Sequence, residues 1–201
     1  MREDRPIVAA GKPQLPVLIE TLALAFQDDP AVSWIFPNAA RRAERLPMMF
    51  GIIAPGDLDM GIAFQSPGHE ATTLWRAPGK AETSKLEFVR QAIPLIRTFG
   101  SALGRALSIA DAIDAHHPKG FDYWYLHYAG VRPAHQGKGW GGAAIRAGLD
   151  RAEAEGKPAY LETATPSNVG LYQRLGFEII EEWDVPRGGP HFWSMLRRDP
   201  A

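Results

Sequence analysis

A glycine-rich loop between a predicted strand and a predicted helix is the segment of this sequence best suited to chemistry. Four of the six residues from 137 to 142 are glycine, so the backbone can approach a ligand without interference from side chains. The following helix directs the positive end of its dipole at the loop, and its first N–H groups have no partner within the helix. Such a site binds phosphate, and the sequence therefore predicts a pyrophosphate-bearing ligand here. The residues of the loop are Gln136, Gly137, Lys138, Gly139, Trp140, Gly141 and Gly142.

Hydrophobic periodicity predicts the elements that must position this loop. Strands are expected at 7–10, 61–65, 71–76, 123–131, 159–163, 177–183 and 191–197, and helices at 14–27, 41–53, 86–96, 103–113, 139–155 and 168–175. We expect an interruption of the second helix near Pro47 and a kink at Pro94. The strand before the loop, the helix after it and the next strand form one right-handed βαβ unit. The predicted fold class is mixed α/β, with a mostly antiparallel central sheet and flanking helices.

Chain length, net charge and hydrophobic pattern limit the domain organisation and the kinds of binding partner that we expect. The 201 residues are expected to form a single domain, 1–201, because this length buries one core and is short for two. A net charge of -1 gives no electrostatic footprint for nucleic acid or an anionic membrane. Without an apolar run of about 20 residues or a signal-peptide apolar region, the chain is expected in the cytoplasm.

With nucleic acid and membranes disfavoured, small molecules are the expected ligands. The absence of cysteine excludes disulfides and thiolate metal sites. His116 and His117 are adjacent, so their side chains point apart on an extended chain, and no metal is expected. The sequence leaves the oligomeric state open, a homodimer included.

Two blocks of the sequence resemble the GNAT family of acyl-CoA N-acyltransferases. After a strand, the pattern Gln136-x-x-Gly139-x-Gly141 resembles the acyl-CoA signature of that family. The sequence Leu161-Glu162-Thr163, then Pro166-Ser167-Asn168, then Leu171-Tyr172-Gln173-Arg174-Leu175-Gly176-Phe177, resembles its C-terminal motif. Both blocks lie within residues 123–197. A fainter pattern, Ala25-Phe26-x-Asp28-x-Pro30, is similar to the branch that contains puromycin N-acetyltransferase.

The resemblance implies a GNAT-like fold and an enzyme that moves an acetyl group from acetyl-CoA to a primary amine of a small molecule. It implies that backbone amides of residues 136–142 cradle the CoA pyrophosphate, with Lys138 adding charge at the rim. Main-chain groups near Gly130 and Val131 would hold the pantetheine arm as an extra strand. The Val131 amide would also stabilise the oxyanion of the transition state.

Acyl transfer to an amine also requires an acid for the departing thiolate and a base for the amine. Tyr172 suits the acid, because a phenol of reference pKa about 10 stays protonated near neutrality. Asn168 lies one helical turn earlier and can meet the same ligand arm. Glu162 is the candidate base, although a structural ion pair explains it equally well. His127 has a suitable reference pKa near 6.5, but a hydrogen-bonded core histidine is the commoner situation, and the amine can also lose its proton to solvent.

Two other functions fit the same residues. The pattern Gly137-x-Gly139-x-x-Gly142 matches a nicotinamide dinucleotide fingerprint, and Glu162 lies at about the distance of its ribose-binding acid. Several residues separate the strand end from the first glycine, however, whereas the dinucleotide loop is a tight turn. A domain that binds acyl-CoA as a sensor without turning it over is the second alternative. Thiol release from acetyl-CoA in the presence of amines distinguishes these functions.

Overall fold

The computed structural model describes residues 5–81 and 85–198, and for residues 85–91 it describes the backbone alone. The strands are β1 (Val8–Ala10), β2 (Gly61–Gln65), β3 (Ala71–Arg76), β4 (Trp124–Val131), β5 (Ala159–Thr163), β6 (Glu178–Asp184) and β7 (His191–Arg197). They form one sheet in the order β1-β2-β3-β4-β5-β7-β6. Neighbouring strands are antiparallel except β4 and β5, which are parallel. The prediction of a mixed α/β fold with a mostly antiparallel sheet is confirmed.

Helices cover both faces of this sheet. They are α1 (Leu15–Ala25), α2 (Pro30–Ile35), α3 (Ala39–Met60), α4 (Lys85–Phe99), α5 (Leu103–His116), α6 (Trp140–Ala154) and α7 (Pro166–Arg174). On one face, α1, α2, α3 and α5 form a core with side chains such as Leu74 and Phe192. On the other face, α6 and α7 form a second core around Trp75, Leu126 and Met195. Among the helices described, none is both long and apolar enough to cross a bilayer.

A β-bulge in β4 determines on which side of the sheet its side chains lie. Leu74 pairs with Tyr128 and the next residue, Trp75, pairs with Leu126, so His127 is an extra residue in β4. A bulge of this kind interrupts the alternation of a strand and re-aims the side chains beyond it. Leu126 packs into the core under α6, whereas Tyr128 packs against the core under α1 and α3. The bulge therefore turns the second half of β4 over relative to the first half.

Close packing of α6 on the sheet depends on a glycine. A Cβ placed on Gly148 would lie 2.1 Å from Cε2 of Trp75, well inside van der Waals contact. Trp75 is fully buried, so its indole cannot move aside. The missing side chain at position 148 lets the helix lie directly over this ring. This contact sets the height of α6, and thus of the loop that precedes it, above the sheet.

The helix predicted at 41–53 is present, but the interruption predicted at Pro47 is wrong. Helix α3 runs from residue 39 to residue 60 through both Pro47 and Pro55. Each proline removes one backbone hydrogen bond, but the buried face of the helix, which includes Phe50 and Ala54, stabilises it through tertiary packing. Helix α4 also contains a proline, Pro94, where a kink was predicted. The added length of α3 brings Asp57 into the core.

Candidate active site

The predicted phosphate loop joins β4 to α6. A short 3-10 turn follows the end of β4, and α6 begins at Trp140 with Gly139 as its N-terminal cap. The φ angles of Gly137 and Gly139 are 72° and 84°, in the left-handed region that only glycine adopts readily. Glycine is therefore required at these two positions for the loop to keep this path.

Six consecutive amides of this loop, residues 137–142, are available to a ligand. Within the described chain, none of these N–H groups donates to a backbone or side-chain acceptor. The first bond that stabilises the helix is donated by the amide of Ala143 to the carbonyl of Gly139, at 3.1 Å. Phosphate oxygens need several converging donors, and the dipole of α6 adds positive potential at the same place. The arrangement suits a diphosphate.

The side chains of the loop lie at its rim. Lys138 Nζ donates to the Ala134 carbonyl at 2.9 Å, and Gln136 Nε2 donates to the Val131 carbonyl at 3.3 Å. Both bonds are exposed. The guanidinium of Arg5 lies over the Trp140 ring, 5.5 Å from its centroid. The loop therefore combines an unobstructed backbone with positive charge at its edge.

Between β4 and β5 the sheet opens into a gap. The two strands pair only through Trp124 with Ala159 and Tyr125 with Tyr160, although β4 continues for six more residues. Beyond this point, β4 has an unpaired edge on the β5 side. An edge of this kind can accept an extended ligand through main-chain hydrogen bonds, as in strand addition.

Alternation along β4 decides which of its groups face this gap. The Arg132 amide donates to the Glu70 carbonyl at 2.8 Å, on the β3 side. Because main-chain groups alternate in direction along a strand, Gly130 faces β3 whereas Ala129 and Val131 face the gap. Gly130 has a packing role, since a Cβ there would lie 3.0 Å from Leu22 Cδ2 in α1.

Glu162 lies at the closed end of the gap, on β5. The Tyr125 hydroxyl donates to its Oε1, and its buried Oε2 has no hydrogen-bond partner in the described part of the chain. Burial raises the pKa of Glu162 to about 8, although Tyr125 and the charge of Arg76 act in the opposite direction. A carboxyl group with this pKa exchanges its proton near neutrality, as a general base does.

A second buried polar cluster is centred on Asp57. Asp57 of α3, whose side chain is 0% exposed, binds Arg76 Nε at 2.7 Å and His127 Nδ1 at 2.8 Å. Burial alone would raise the pKa of Asp57, but His127 and Arg76 lower it below its ordinary value. Burial and the Arg76 charge lower the pKa of His127. Asp57 was not among the site residues predicted from the sequence.

Tyr172 lies on α7, with its ring packed edge-on against Phe177 at 6.0 Å. Its hydroxyl has no hydrogen-bond partner among the described residues. Burial, with the negative charges of Asp29 and Glu162, raises the pKa of this phenol, so it stays protonated throughout the neutral range. Asn168 is half-buried one turn earlier on the same helix.

The helix that carries Tyr172 is tied to the N-terminal half of the chain. The Thr165 hydroxyl, at the start of α7, donates to Asp29 Oδ2 at 3.2 Å. The other oxygen of Asp29 accepts the Val32 amide at 3.0 Å and so caps α2. Asp29 thereby holds the α1–α2 corner against the C-terminal motif.

The adjacent histidines have separate partners. His117 Nδ1 lies 2.7 Å from the Tyr123 hydroxyl, whereas the His116 ring stacks on Trp183 with centroids 4.3 Å apart. Burial lowers the pKa of His117 to about 4, so this imidazole is neutral. In the described part of the chain, no group of three or more His, Cys, Asp or Glu side chains is arranged to hold a metal ion.

Sequence reasoning missed two features of this site, Asp57 and the gap-facing groups of Ala129. Asp57 lay beyond the predicted end of its helix, although an acid among apolar residues could have pointed to a buried partner. The orientation of Ala129 depends on the bulge at His127, for which a strand sequence carries no clear signal. Glu162 and Tyr172 were proposed from the sequence because they lie in a recognisable motif.

Comparison with known proteins agrees with this arrangement. Residues 103–177, which include the loop, Glu162 and Tyr172, match the model of the acetyltransferase (GNAT) family. An uncharacterized N-acetyltransferase of Schizosaccharomyces pombe is 27% identical over 167 residues, which are 78% of this chain and 68% of that protein. The L-methionine sulfoximine/L-methionine sulfone acetyltransferase of Pseudomonas aeruginosa is 33% identical over 110 residues, 53% of this chain and 62% of that protein. The matches thus span about two thirds of the length of these relatives.

The fold is shared with solved acetyltransferase structures. One is the crystal structure described as histone acetyltransferase HPA2 and related acetyltransferase, from Corynebacterium glutamicum. It has a TM-score of 0.71 and 24% identity, and the alignment covers 97% of this chain and 96% of that one. The similarity extends across the N-terminal half, where the sequence motifs are faint.

Proposed function

We propose that this chain, which matches the acetyltransferase (GNAT) family model over residues 103–177, transfers the acetyl group of acetyl-CoA to a primary amine of a small-molecule acceptor. The amine attacks the thioester directly, within a ternary complex. The observation that carries this proposal is the run of six amides, residues 137–142 at the start of α6, that have no acceptor among the described residues. The groups present therefore fit the diphosphate of coenzyme A.

The pantetheine arm of the donor lies along the open edge of β4. Main-chain groups of Ala129 and Val131 point into the gap between β4 and β5, where an extended amide-bearing chain can add as a strand. To bind there, the arm displaces the Gln136 side chain from the Val131 carbonyl. This path leads from the phosphate loop toward Tyr125 and Glu162, at the closed end of the gap.

The chemical step needs an oxyanion donor, an acid and a base. A gap-facing amide of β4, from Ala129 or Val131, stabilises the developing oxyanion. Tyr172 protonates the departing thiolate, because its raised pKa keeps the phenol protonated. Glu162 takes a proton from the incoming amine in its ionised form, which a pKa of about 8 keeps partly populated near neutrality. Its Oε2, which has no hydrogen-bond partner among the described residues, is the accepting atom.

Negative charge around the reaction site favours an acceptor that arrives as an ammonium ion. Burial raises the pKa of the Tyr128 phenol, and the acidic groups of Asp57, Glu162 and Asp29 act in the same direction, against one opposing cation, Arg76. A cationic amine is attracted into such a site and then deprotonated there. The Pseudomonas relative is named for an amino-acid analogue, so L-methionine sulfoximine is the first acceptor to test.

The test is thiol release from acetyl-CoA with a panel of amines, comparing the wild type with Tyr172→Phe. We expect at least one amine to be acetylated, and the variant to lose about 10²-fold or more in kcat with little change in acetyl-CoA affinity. Tyr123→Phe is the matched control, because it also removes a buried hydroxyl, one that binds His117. Binding of acetyl-CoA without acetylation of any amine would contradict the proposal and favour a sensor.

A further inference from the structure

The proposed reaction removes two protons from the acceptor nitrogen, and Glu162 accepts one of them. An ammonium nitrogen carries three protons and the amide product carries one, so two protons leave the nitrogen in each turnover. The first must leave before attack, because a protonated nitrogen has no lone pair. The second leaves once the nitrogen has bonded to the carbonyl carbon. Glu162 holds one proton at a time, so a second base near the same nitrogen would complete the reaction.

His127 has the partners that a base of this kind needs. Its Nδ1 lies 2.8 Å and 3.0 Å from the two oxygens of Asp57. Arg76 holds Asp57 from the other side and keeps it anionic. The neutral imidazole must therefore carry its proton on Nδ1, donated to Asp57, which leaves the lone pair on Nε2.

The Nε2 atom of His127 is free to act. It has no hydrogen-bond partner among the described residues, and it is not one of the buried polar atoms that lack a partner. The side chain is 16% exposed, whereas Asp57 is 0% exposed. Arg76, Asp57 and His127 thus form a hydrogen-bonded series, in which the imidazole of His127 is the end that reaches solvent.

The position of His127 places it at the reaction site. The β4–β5 ladder ends at Tyr125 and Tyr160, and His127 and Glu162 are each two residues further along their strands. The Tyr125 ring lies 5.1 Å from the His127 ring, and its hydroxyl donates to Glu162. Both groups therefore flank Tyr125 on one face of the sheet, one from each side of the gap.

We propose that His127 is a second base of the acetyl transfer, held in one tautomer by Asp57, and that it and Glu162 each accept one of the two protons lost by the amine. This rests on the proposed function. The nitrogen–carbon bond forms and the carbon–sulfur bond breaks, and the thiolate takes the proton of Tyr172. Of the two protons on Glu162 and His127, one returns to Tyr172 through solvent and the other is released.

The test compares two acceptors and three enzymes: the wild type, Glu162→Gln and His127→Asn. Asparagine can still donate to Asp57 from about the position of Nδ1, but it has no equivalent of Nε2. The acceptors are the best alkylamine of the panel and its alkoxyamine analogue, which is weakly basic and already neutral at pH 7.5. Circular dichroism and acetyl-CoA affinity show whether each variant is folded, and His127→Gln is the second variant at this position.

We expect His127→Asn to lose about 10²-fold or more in kcat with both acceptors, because the second proton must leave in either case. The loss in Glu162→Gln should shrink with the alkoxyamine, which has no first proton to lose. His117→Asn is the matched control, because it changes a neighbouring buried histidine that lies 4.9 Å from the Tyr125 ring.

Three outcomes would overturn the proposal. The first is that His127→Asn and His127→Gln are folded and keep a kcat within threefold of the wild type, while Glu162→Gln loses activity. The second is that the loss of kcat in His127→Asn disappears when the acceptor is the alkoxyamine. Either overturns the second base alone. A wild type that binds acetyl-CoA and acetylates no amine overturns the proposed function, and the second base with it.

Discussion

Replacing Gly137 by alanine tests whether the backbone of the loop binds the donor. The φ of Gly137 is 72°, and a Cβ placed on it would have no atom within 4 Å. The substitution therefore causes no clash, and its cost is confined to the left-handed backbone conformation. For alanine this cost is ~1–2 kcal/mol.

The expected change in affinity follows from this cost. In the free protein, Gly137→Ala can relieve the strain by moving to a negative φ, which turns the neighbouring amides away from their common target. Binding must then restore the original conformation, at a cost of ~1–2 kcal/mol. At about 1.4 kcal/mol for each tenfold change in an equilibrium constant, the Kd for acetyl-CoA should rise by roughly 5- to 30-fold.

Gly156→Ala is the matched control for this variant. Gly156 has a φ of 60° and also has no atom within 4 Å of its Cβ, but it lies past the far end of α6. It should lower the Tm and leave the Kd for acetyl-CoA unchanged. Isothermal titration calorimetry gives the Kd values, and thermal denaturation gives the Tm. The reasoning is refuted if Gly137→Ala binds as tightly as the wild type, or if Gly156→Ala weakens binding equally.

Two further predictions concern stability. Gly148→Ala should destabilise the protein by about 1–3 kcal/mol, seen as a lower Tm, because the new Cβ would lie 2.1 Å from the buried Trp75 ring; an unchanged Tm would contradict the packing described. The pKa of Glu162 is about 8 in the folded protein and roughly 4.3 in an unfolded chain. As the pH rises, the unfolded chain therefore loses this proton before the folded protein does. The stability of the wild type falls between these two pH values for that reason. Glu162→Gln removes this dependence, so its Tm relative to the wild type should increase from pH 5 to pH 8, and a constant difference would show that the pKa is not raised.

Much of the fold could be predicted from local patterns. The strands 61–65, 71–76 and 159–163 were predicted with the bounds that the structure has. Turn residues mark the ends of the first two strands, and Pro158 precedes the third. The glycines of the phosphate loop were identified for the same local reason, because positive φ angles and close backbone approach select glycine.

The rest depends on contacts between distant residues. Pro47 predicted a break in α3, but the packing of that helix on the sheet keeps it continuous. The bulge at His127 follows from the pairing of β3 with β4, so the orientation of Ala129 could not be read from β4 alone. Asp57 binds residues 19 and 70 positions away, Arg76 and His127. No periodicity within one element carries such information.

A crystal structure of the protein with coenzyme A tests the central claim most directly. We expect the diphosphate oxygens within about 3.2 Å of several amides of residues 137–142, and the pantetheine amides hydrogen-bonded to Ala129 and Val131. The sulfur should lie within reach of the Tyr172 hydroxyl. A diphosphate bound away from the start of α6, with these amides still free, would contradict the account.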